Sequence, residues 1–318
     1  MYQEITIQFT ENCNLHCPYC FAPQGEGGNI SLHDFERFLN FCKRTHPDCI
    51  HVTGGEPLLH PQFSMMIERL ADIAPLVIYS NLTLPEKFNH IFVRNPEDIF
   101  ILANYNGKEF YTDSQWDAFQ QNIRNAKAMG VKIALGLTIY RLPFADRFKE
   151  ALGQIRKNQI THLRISQAME NSNKQHGLDR DSIQQLYAFV AKHIAQWKVE
   201  GIKTYFDCPV PPCYMDTETF HILQNYDAVG ITCKPKAFIQ YDLGITHCYS
   251  TIGYGEKRKL CEFNTISGIT EYSKSKIQSM CKGRDITPCL HCEVFQGDLP
   301  CGCPAYGKTY SNSLLLKI

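Results

Sequence analysis

The sequence carries no net charge: its 318 residues hold 32 Lys plus Arg against 32 Asp plus Glu. That balance argues against a dedicated binder of nucleic acid or of an anionic membrane, whose affinity would come from clustered basic residues. No apolar run approaches the length of a membrane span, so no membrane partner is expected. The N-terminus, Met1-Tyr2-Gln3-Glu4, lacks the basic-then-apolar signature of an export signal and leads directly into a strand-like pattern. A cytoplasmic protein is expected, with no room ahead of the first strand for a separate peptide-recognition domain. Internal repeats and low-complexity segments are missing too.

What the chain has in abundance is cysteine, 15 in all. Without export a disulfide framework is not expected, and a chain this long can bury a core without such staples. Many cysteines in a cytosolic protein point to metal. Three stand close together at Cys13, Cys17 and Cys20. Cys42 and Cys49 follow and read as core thiols. The other ten crowd the segment from Cys208 to Cys303.

Between these two groups strand and helix signals alternate. Ile5-Thr6-Ile7-Gln8-Phe9 has the β-branched alternation of a strand. Ser31 opens a helix with a capping pattern to Asp34, placing Leu32, Phe35, Leu39 and Cys42 on one face. Strands are predicted at 50–53, 76–79, 99–102, 131–139 and 162–166. Helices are predicted from Phe63 to Ile73, after a Thr112/Gln115 capping box up to Gly130, and from Asp181 to Glu200. Such alternation calls for a parallel sheet with helices outside it, and six strands close only part of a barrel. The fold class is therefore α/β, a partial (β/α)6 barrel over residues 1–207. Beyond Phe206-Asp207 the composition shifts to Cys, Pro, Gly and Tyr, so 208–318 is expected to be a separate, loop-rich, cysteine-rich domain.

Glu11-Asn12-Cys13-Asn14-Leu15-His16-Cys17-Pro18-Tyr19-Cys20-Phe21 immediately follows the first strand. Three thiolates this close can ligate three irons of a cubane cluster, leaving the fourth without a cysteine. On pair spacing alone, a zinc site of Cys17 and Cys20, with Cys13 or His16 assisting, is the competing reading. A second motif stands at the end of the second strand, Thr53-Gly54-Gly55-Glu56-Pro57, where glycines let the backbone turn and present amides and carbonyls to a ligand. His51 and His60 flank that turn and read as surface or core histidines.

The C-x-x-x-C-x-x-C triplet, with an aromatic residue before its last cysteine, and Gly-Gly-Glu-Pro one strand later resemble the radical S-adenosylmethionine (SAM) superfamily. The resemblance implies a [4Fe-4S] cluster on Cys13, Cys17 and Cys20 whose open iron chelates SAM. It also implies reductive cleavage of SAM to a 5′-deoxyadenosyl radical. By the same resemblance Tyr19 lies near the adenine, and Gly54, Gly55, Glu56 and Pro57 serve the SAM amino group. Asn81, in Tyr79-Ser80-Asn81, would reach SAM, although the glycine of the family's T-N-G segment is absent here. Asn104, Thr138, Arg164 and Ser166, on later strands, stand where the family contacts ribose and carboxylate; turn residues and a barrel-edge salt bridge are the ordinary alternatives.

The C-terminal cysteines resemble the SPASM module, which holds auxiliary iron–sulfur clusters. Carried over, one cluster would use Cys213 (or Cys208), Cys233, Cys248 and Cys303. A second would use Cys289, Cys292 and Cys301, with Cys281 or Cys261 as fourth ligand or with an open iron. The last cysteines are spaced more tightly than in the family, so a shortened, single-cluster module is an alternative, as is a zinc ribbon of Cys289, Cys292, Cys301 and Cys303. The resemblance implies an external electron donor such as flavodoxin or ferredoxin. The substrate is expected to be a peptide or amino-acid derivative, with hydrogen abstraction by an oxidoreductase or peptide-modifying enzyme. A dehydrogenase or lyase acting on a small molecule such as a sugar is the alternative. A zinc-containing interaction or RNA-binding protein is the reading of another class.

Overall fold

The computed structural model describes residues 2–20, 27–85, 96–168, 177–209, 211–249, 252 and 256–281. Seven strands succeed one another in chain order across one sheet, each parallel to the last: β1 (Glu4–Gln8), β2 (Cys49–Thr53), β3 (Leu76–Ser80), β4 (Ile99–Tyr105), β5 (Lys132–Ile139), β6 (His162–Gln167) and β7 (Lys203–Phe206). The described crossovers are α1 (Leu32–Thr45), α2 (Phe63–Ala71), α3 (Asp113–Ala128), α4 (Ala145–Lys157) and α5 (Arg180–Val199). The expected partial barrel of parallel strands forms, with Lys203–Phe206 added as a seventh. The crossover α4 went unpredicted, although Phe144, Phe148, Ala151, Leu152 and Ile155 recur at helical spacing and are all buried.

Local chemistry marks the helix starts, and α5 begins at Arg180, one residue before the expected Asp181. Ser31 accepts from the Asp34 amide at 3.0 Å to start α1. Thr112 and Gln115 cap α3 reciprocally. Asp179 accepts from the Ser182 amide at 2.8 Å to start α5.

Alternation along β1 sorts the two faces of the sheet. Ile5, Ile7 and Phe9 are buried, and the Phe9 ring meets Phe35 of α1 and Phe63 of α2, with centroids 6.2 Å apart in both pairs. The opposite face carries Gln8, Thr53, Tyr79, Thr138, Arg164 and Ser166 among apolar neighbours such as Leu102 and Ala134. That face curls around a lumen. Arg164 of β6 sits 5.5 Å from the Tyr79 ring of β3. Three strand spacings on a flat sheet would hold those backbones about 14 Å apart, with the side chains side by side.

The sheet does not stop at the expected boundary near residue 208. After α6 (Thr217–Asn225), strand β8 (Ala237–Ile239) pairs parallel with β1, and β9 (Ile245–Thr246) folds back antiparallel on β8. Helix α7 (Ile266–Cys281) follows. Strand β8 of the C-terminal segment is thus hydrogen-bonded to β1, the strand that leads into the cysteine triplet. Among the described residues no helix is long and apolar enough to cross a membrane.

Candidate active site

The C-terminal ends of β1, β2 and β3 bring the two motifs together. Chain leaving β1 runs back along the turn after β2: the Gly55 amide donates to the Thr10 carbonyl at 2.7 Å, and the Glu56 amide to the Asn12 carbonyl at 2.8 Å. This apposition requires glycine. A Cβ on Gly55 would stand 2.3 Å from the Asn12 carbonyl oxygen and 2.6 Å from that of Glu11; one on Gly54 would stand 2.8 Å from the Thr10 carbonyl oxygen. The Gly-Gly turn is the seat against which the cysteine loop is pressed.

Glu56 locks the turn to β3. Its carboxylate is 1 % exposed and accepts from the Ser80 hydroxyl at 2.9 Å, the Leu58 amide at 3.2 Å and the Asn81 amide at 2.7 Å. Burial pushes its pKa up to about 7 in spite of these three donors. Pro57, also buried, opens a short 3-10 turn behind it. Glu56 therefore acts through the turn it braces, while Gly54 and Gly55 offer backbone groups.

Asn81 reaches the cysteine loop. Its Nδ2 donates to Asn14 Oδ1 at 2.9 Å and lies 3.9 Å from Cys13 Sγ, while its Oδ1 accepts from the Thr83 amide and hydroxyl at 3.0 and 2.7 Å. Cys13, Cys17 and Cys20 are half-buried. Burial lifts the Cys13 thiol to about 12; the Leu15 amide pulls it back, and Glu56, Cys17 and Cys20 close by lift it further. Such a thiol becomes a thiolate when a metal takes the place of its proton. Among the described residues no three His, Cys, Asp or Glu side chains converge as a single ion would require. Three thiols spaced along one short loop fit a cluster whose irons each take one sulfur, and the adjacent glycine turn offers backbone groups to a ligand such as SAM.

Tyr19 leans to the far wall. Its hydroxyl meets Asn106 Oδ1, and its ring packs 5.3 Å from Tyr140. Thr138 also reaches that hydroxyl. Arg147, 8 % exposed, secures the wall by donating to the Asn106 carbonyl at 2.8 Å and stacking 5.0 Å above Tyr140. Asn104 faces Gly136 across β4 and β5. Arg164 pairs with Asp207, and the Ser166 hydroxyl donates to the same carboxylate at 3.4 Å. Burial works against ionising Asp207, but Arg164 and Lys236 hold it below the usual carboxylate range. Of the two flanking histidines, His60 is in the core on the Ile30 carbonyl and His51 is held 3.0 Å from the Tyr79 hydroxyl.

Tyr249, which the sequence reading passed over, enters from the C-terminal segment. Its hydroxyl donates to the Gly54 carbonyl at 2.8 Å and lies 3.3 Å from Thr53 Oγ1; its ring meets Phe238 edge-on at 5.0 Å. The available signal was its position directly after Cys248. Cys233 and Cys248 are half-buried at the β8–β9 hairpin, with His247 Nε2 3.1 Å from Cys233 Sγ. Cys208 is half-buried just after β7, and Cys213 and Cys261 are exposed. The side chain of Cys281, together with Cys289, Cys292, Cys301 and Cys303, lies outside the described residues. The described part of the tail fits a second metal group in one respect: a buried ring N–H is aimed at a cysteine sulfur.

Residues 7–155 match the model of the Radical SAM superfamily. A GTP 3′,8-cyclase of Campylobacter jejuni subsp. doylei is 26% identical over 238 residues, covering 70% of this chain and 72% of that protein. An S-adenosylmethionine-dependent nucleotide dehydratase of Selenomonas ruminantium is 29% identical over 73 residues, 23% of this chain and 27% of that one. Among solved structures, Streptococcus suis SuiB bound to S-adenosylmethionine has a TM-score of 0.68 at 17% identity, covering 92% of this chain and 70% of that one. Native anSMEcpe with bound AdoMet has a TM-score of 0.68 at 12% identity, covering 97% and 95%.

Proposed function

We propose that this chain, whose residues 7–155 match the Radical SAM superfamily model, is an enzyme that abstracts hydrogen from a peptide or amino-acid-derived substrate. The family works with a [4Fe-4S] cluster and SAM, which when bound supply a 5′-deoxyadenosyl radical by one-electron reductive cleavage. The observation that carries the reading is the Gly54-Gly55 turn, seated by two backbone hydrogen bonds on the loop of Cys13, Cys17 and Cys20.

In this reading the three cysteines hold the cluster, and the glycine turn presents carbonyls and amides to the methionine end of SAM. Glu56 keeps that turn in place from β3. Asn81 steadies the loop through Asn14, and Tyr19, backed by Asn106 and Thr138, borders the adenosine end. A primary radical is governed by position and by exclusion of water. Tyr19 beside Tyr140 and Tyr249 on the Gly54 carbonyl are placed to serve that exclusion. Asn104, Arg164 and Ser166 are then lumen groups available to SAM or substrate, with Arg164 and Ser166 held by Asp207. Residues 208–318 form the covering module, holding one or two auxiliary clusters on Cys233, Cys248 and further cysteines among Cys208, Cys213, Cys261, Cys281, Cys289, Cys292, Cys301 and Cys303. The protein works in the cytoplasm with a flavodoxin or ferredoxin as electron donor.

The substrate class draws on two sets of relatives that differ. SuiB and anSMEcpe, whose fold this chain shares, have been seen with the precursor peptide SuiA and the Cp18Cys peptide. The relatives by sequence are named as GTP cyclases, and that favours the second reading, a small-molecule substrate of the nucleotide kind. Triphosphate recognition asks for guanidinium or ammonium groups left to the phosphates. Arg164 is paired with Asp207, and the peptide reading rests on the peptide-bound neighbours that share this fold.

Isotope transfer tests the choice. Anaerobically reconstituted protein is reduced with SAM and either backbone-deuterated peptides or ribose-deuterated GTP. Deuterium in 5′-deoxyadenosine from a peptide supports the proposal. Deuterium from GTP alone replaces it with the second reading, and release of no 5′-deoxyadenosine sinks both.

A further inference from the structure

The β8–β9 hairpin carries a histidine that the cysteine pattern leaves unexplained. His247 directly follows β9, one residue before Cys248, and is 2 % exposed. The backbone amide of Lys236 donates to its Nδ1 at 3.1 Å. A backbone amide nitrogen only donates, so Nδ1 must offer a lone pair and the ring proton must sit on Nε2. An imidazolium would set donor against donor at that contact. Nε2–H therefore points at Cys233 Sγ, 3.1 Å away.

Two consequences follow from the tautomer. With Nδ1 engaged and Nε2 protonated, the ring has no lone pair for a metal, so His247 is not a ligand. Its buried N–H also needs an acceptor, since leaving one unmade is costly. A neutral thiol accepts weakly, whereas a metal-bound thiolate accepts well. Ring donors of this kind orient ligands and tune the metal they hold.

We propose that His247 is a positioning residue of an auxiliary iron–sulfur site, donating Nε2–H to the Cys233 thiolate and thereby raising that site's reduction potential. The donor draws charge from the sulfur and so favours the form that has gained an electron. The inference rests on the reading of Cys233 as an auxiliary ligand, and its test separates the two.

The test begins with the Cys13→Ala/Cys17→Ala/Cys20→Ala protein, in which any remaining iron and sulfide belong to the tail. A count of zero, or zinc in their place, overturns the underlying reading and the proposal with it. With iron present, dithionite titration followed by electron paramagnetic resonance compares His247 with His247→Phe and His247→Gln. At equal iron content the phenylalanine variant is expected at a more negative midpoint. Glutamine can accept from Lys236 and donate to sulfur, and it should recover most of the shift. An unchanged midpoint in the phenylalanine variant overturns the proposal. If both variants lose iron, the unsubstituted protein labelled with ¹⁵N-histidine decides the matter. Weak nitrogen coupling to the reduced cluster indicates a hydrogen-bonded ring, while strong coupling indicates a ligand and overturns the proposal, as does no coupling.

Discussion

The two cysteine regions are braced in opposite ways. At the N-terminal triplet the bracing comes mainly from backbone groups. Gly55 and Glu56 bind the loop by amide–carbonyl bonds, the Leu15 amide reaches the Cys13 sulfur, and Asn81 Nδ2 lies 3.9 Å from it. At the C-terminal hairpin the sulfur itself is engaged, with His247 Nε2 3.1 Å from Cys233. A centre that must exchange ligands and release products needs a firm seat with room above it. A centre that passes electrons benefits from fixed donors to its sulfurs. Tyr249 joins the two regions, following Cys248 in sequence and hydrogen-bonding to Gly54.

The largest effect expected is from replacing Cys13, Cys17 and Cys20 together by alanine. SAM cleavage should vanish, and iron should fall by about four per chain, the content of one cubane cluster. Iron retained by that protein measures the C-terminal region, and loss of all iron breaks the contrast between the two.

Next in size is Gly55→Ala. The added Cβ would meet the Asn12 carbonyl oxygen at 2.3 Å, backbone against backbone, so the cysteine loop must move. Overpacking of this kind costs about 1–3 kcal/mol. Thermal melts and iron retention should both fall, more than for Gly54→Ala, where the closest atom is at 2.8 Å. Equal effects at the two positions would show that the loop is not seated as described.

Tyr249→Phe should act more mildly. Loss of one hydrogen bond to the Gly54 carbonyl, worth about 0.5–1.5 kcal/mol, corresponds to roughly 2- to 12-fold weaker SAM binding at unchanged iron content. Titration of SAM against the oxidised, non-cleaving protein, followed by its iron–sulfur absorbance, reads this directly. Unchanged affinity would cut the proposed link between the regions.

Glu56→Gln should show the smallest effect, in the pH dependence of stability. The Glu56 pKa is raised from 4.5 to about 7 in the folded protein. The folded state therefore binds the extra proton, and the contribution is fully present below 4.5 and is lost as pH rises through about 7. Melting temperature should decline across that window, and the glutamine variant should flatten this part of the decline. A steeper profile in the variant would contradict the burial argument.

Much of this was legible because it is local. Ser31 with Asp34, and Thr112 with Gln115, cap their helices through groups three residues apart, so the pattern and its physical cause share one stretch of chain. The strand ends carrying Asn81, Asn104 and Thr138 were read for the same reason. Arg164 was read as a group for a carboxylate, and the fold supplies one from its own chain, Asp207. Helix α4 was missed although its apolar spacing is regular, and β7 was missed because four residues carry little periodicity.

By itself the sequence determined the alternation of strands and helices, the triplet spacing that sets thiols side by side, and the glycines that allow a second strand end to approach them. Only the tertiary structure decided which groups meet: Glu56 with Ser80 and Asn81, Tyr249 with Gly54 from 195 residues away, and His247 with Cys233. The reason is physical. A residue's chemistry states what it can donate or accept, but strand register and the curl of the sheet choose its partner. The proton on His247 shows this most directly, because its place on Nε2 is set by a backbone amide eleven residues earlier in the chain, across the hairpin.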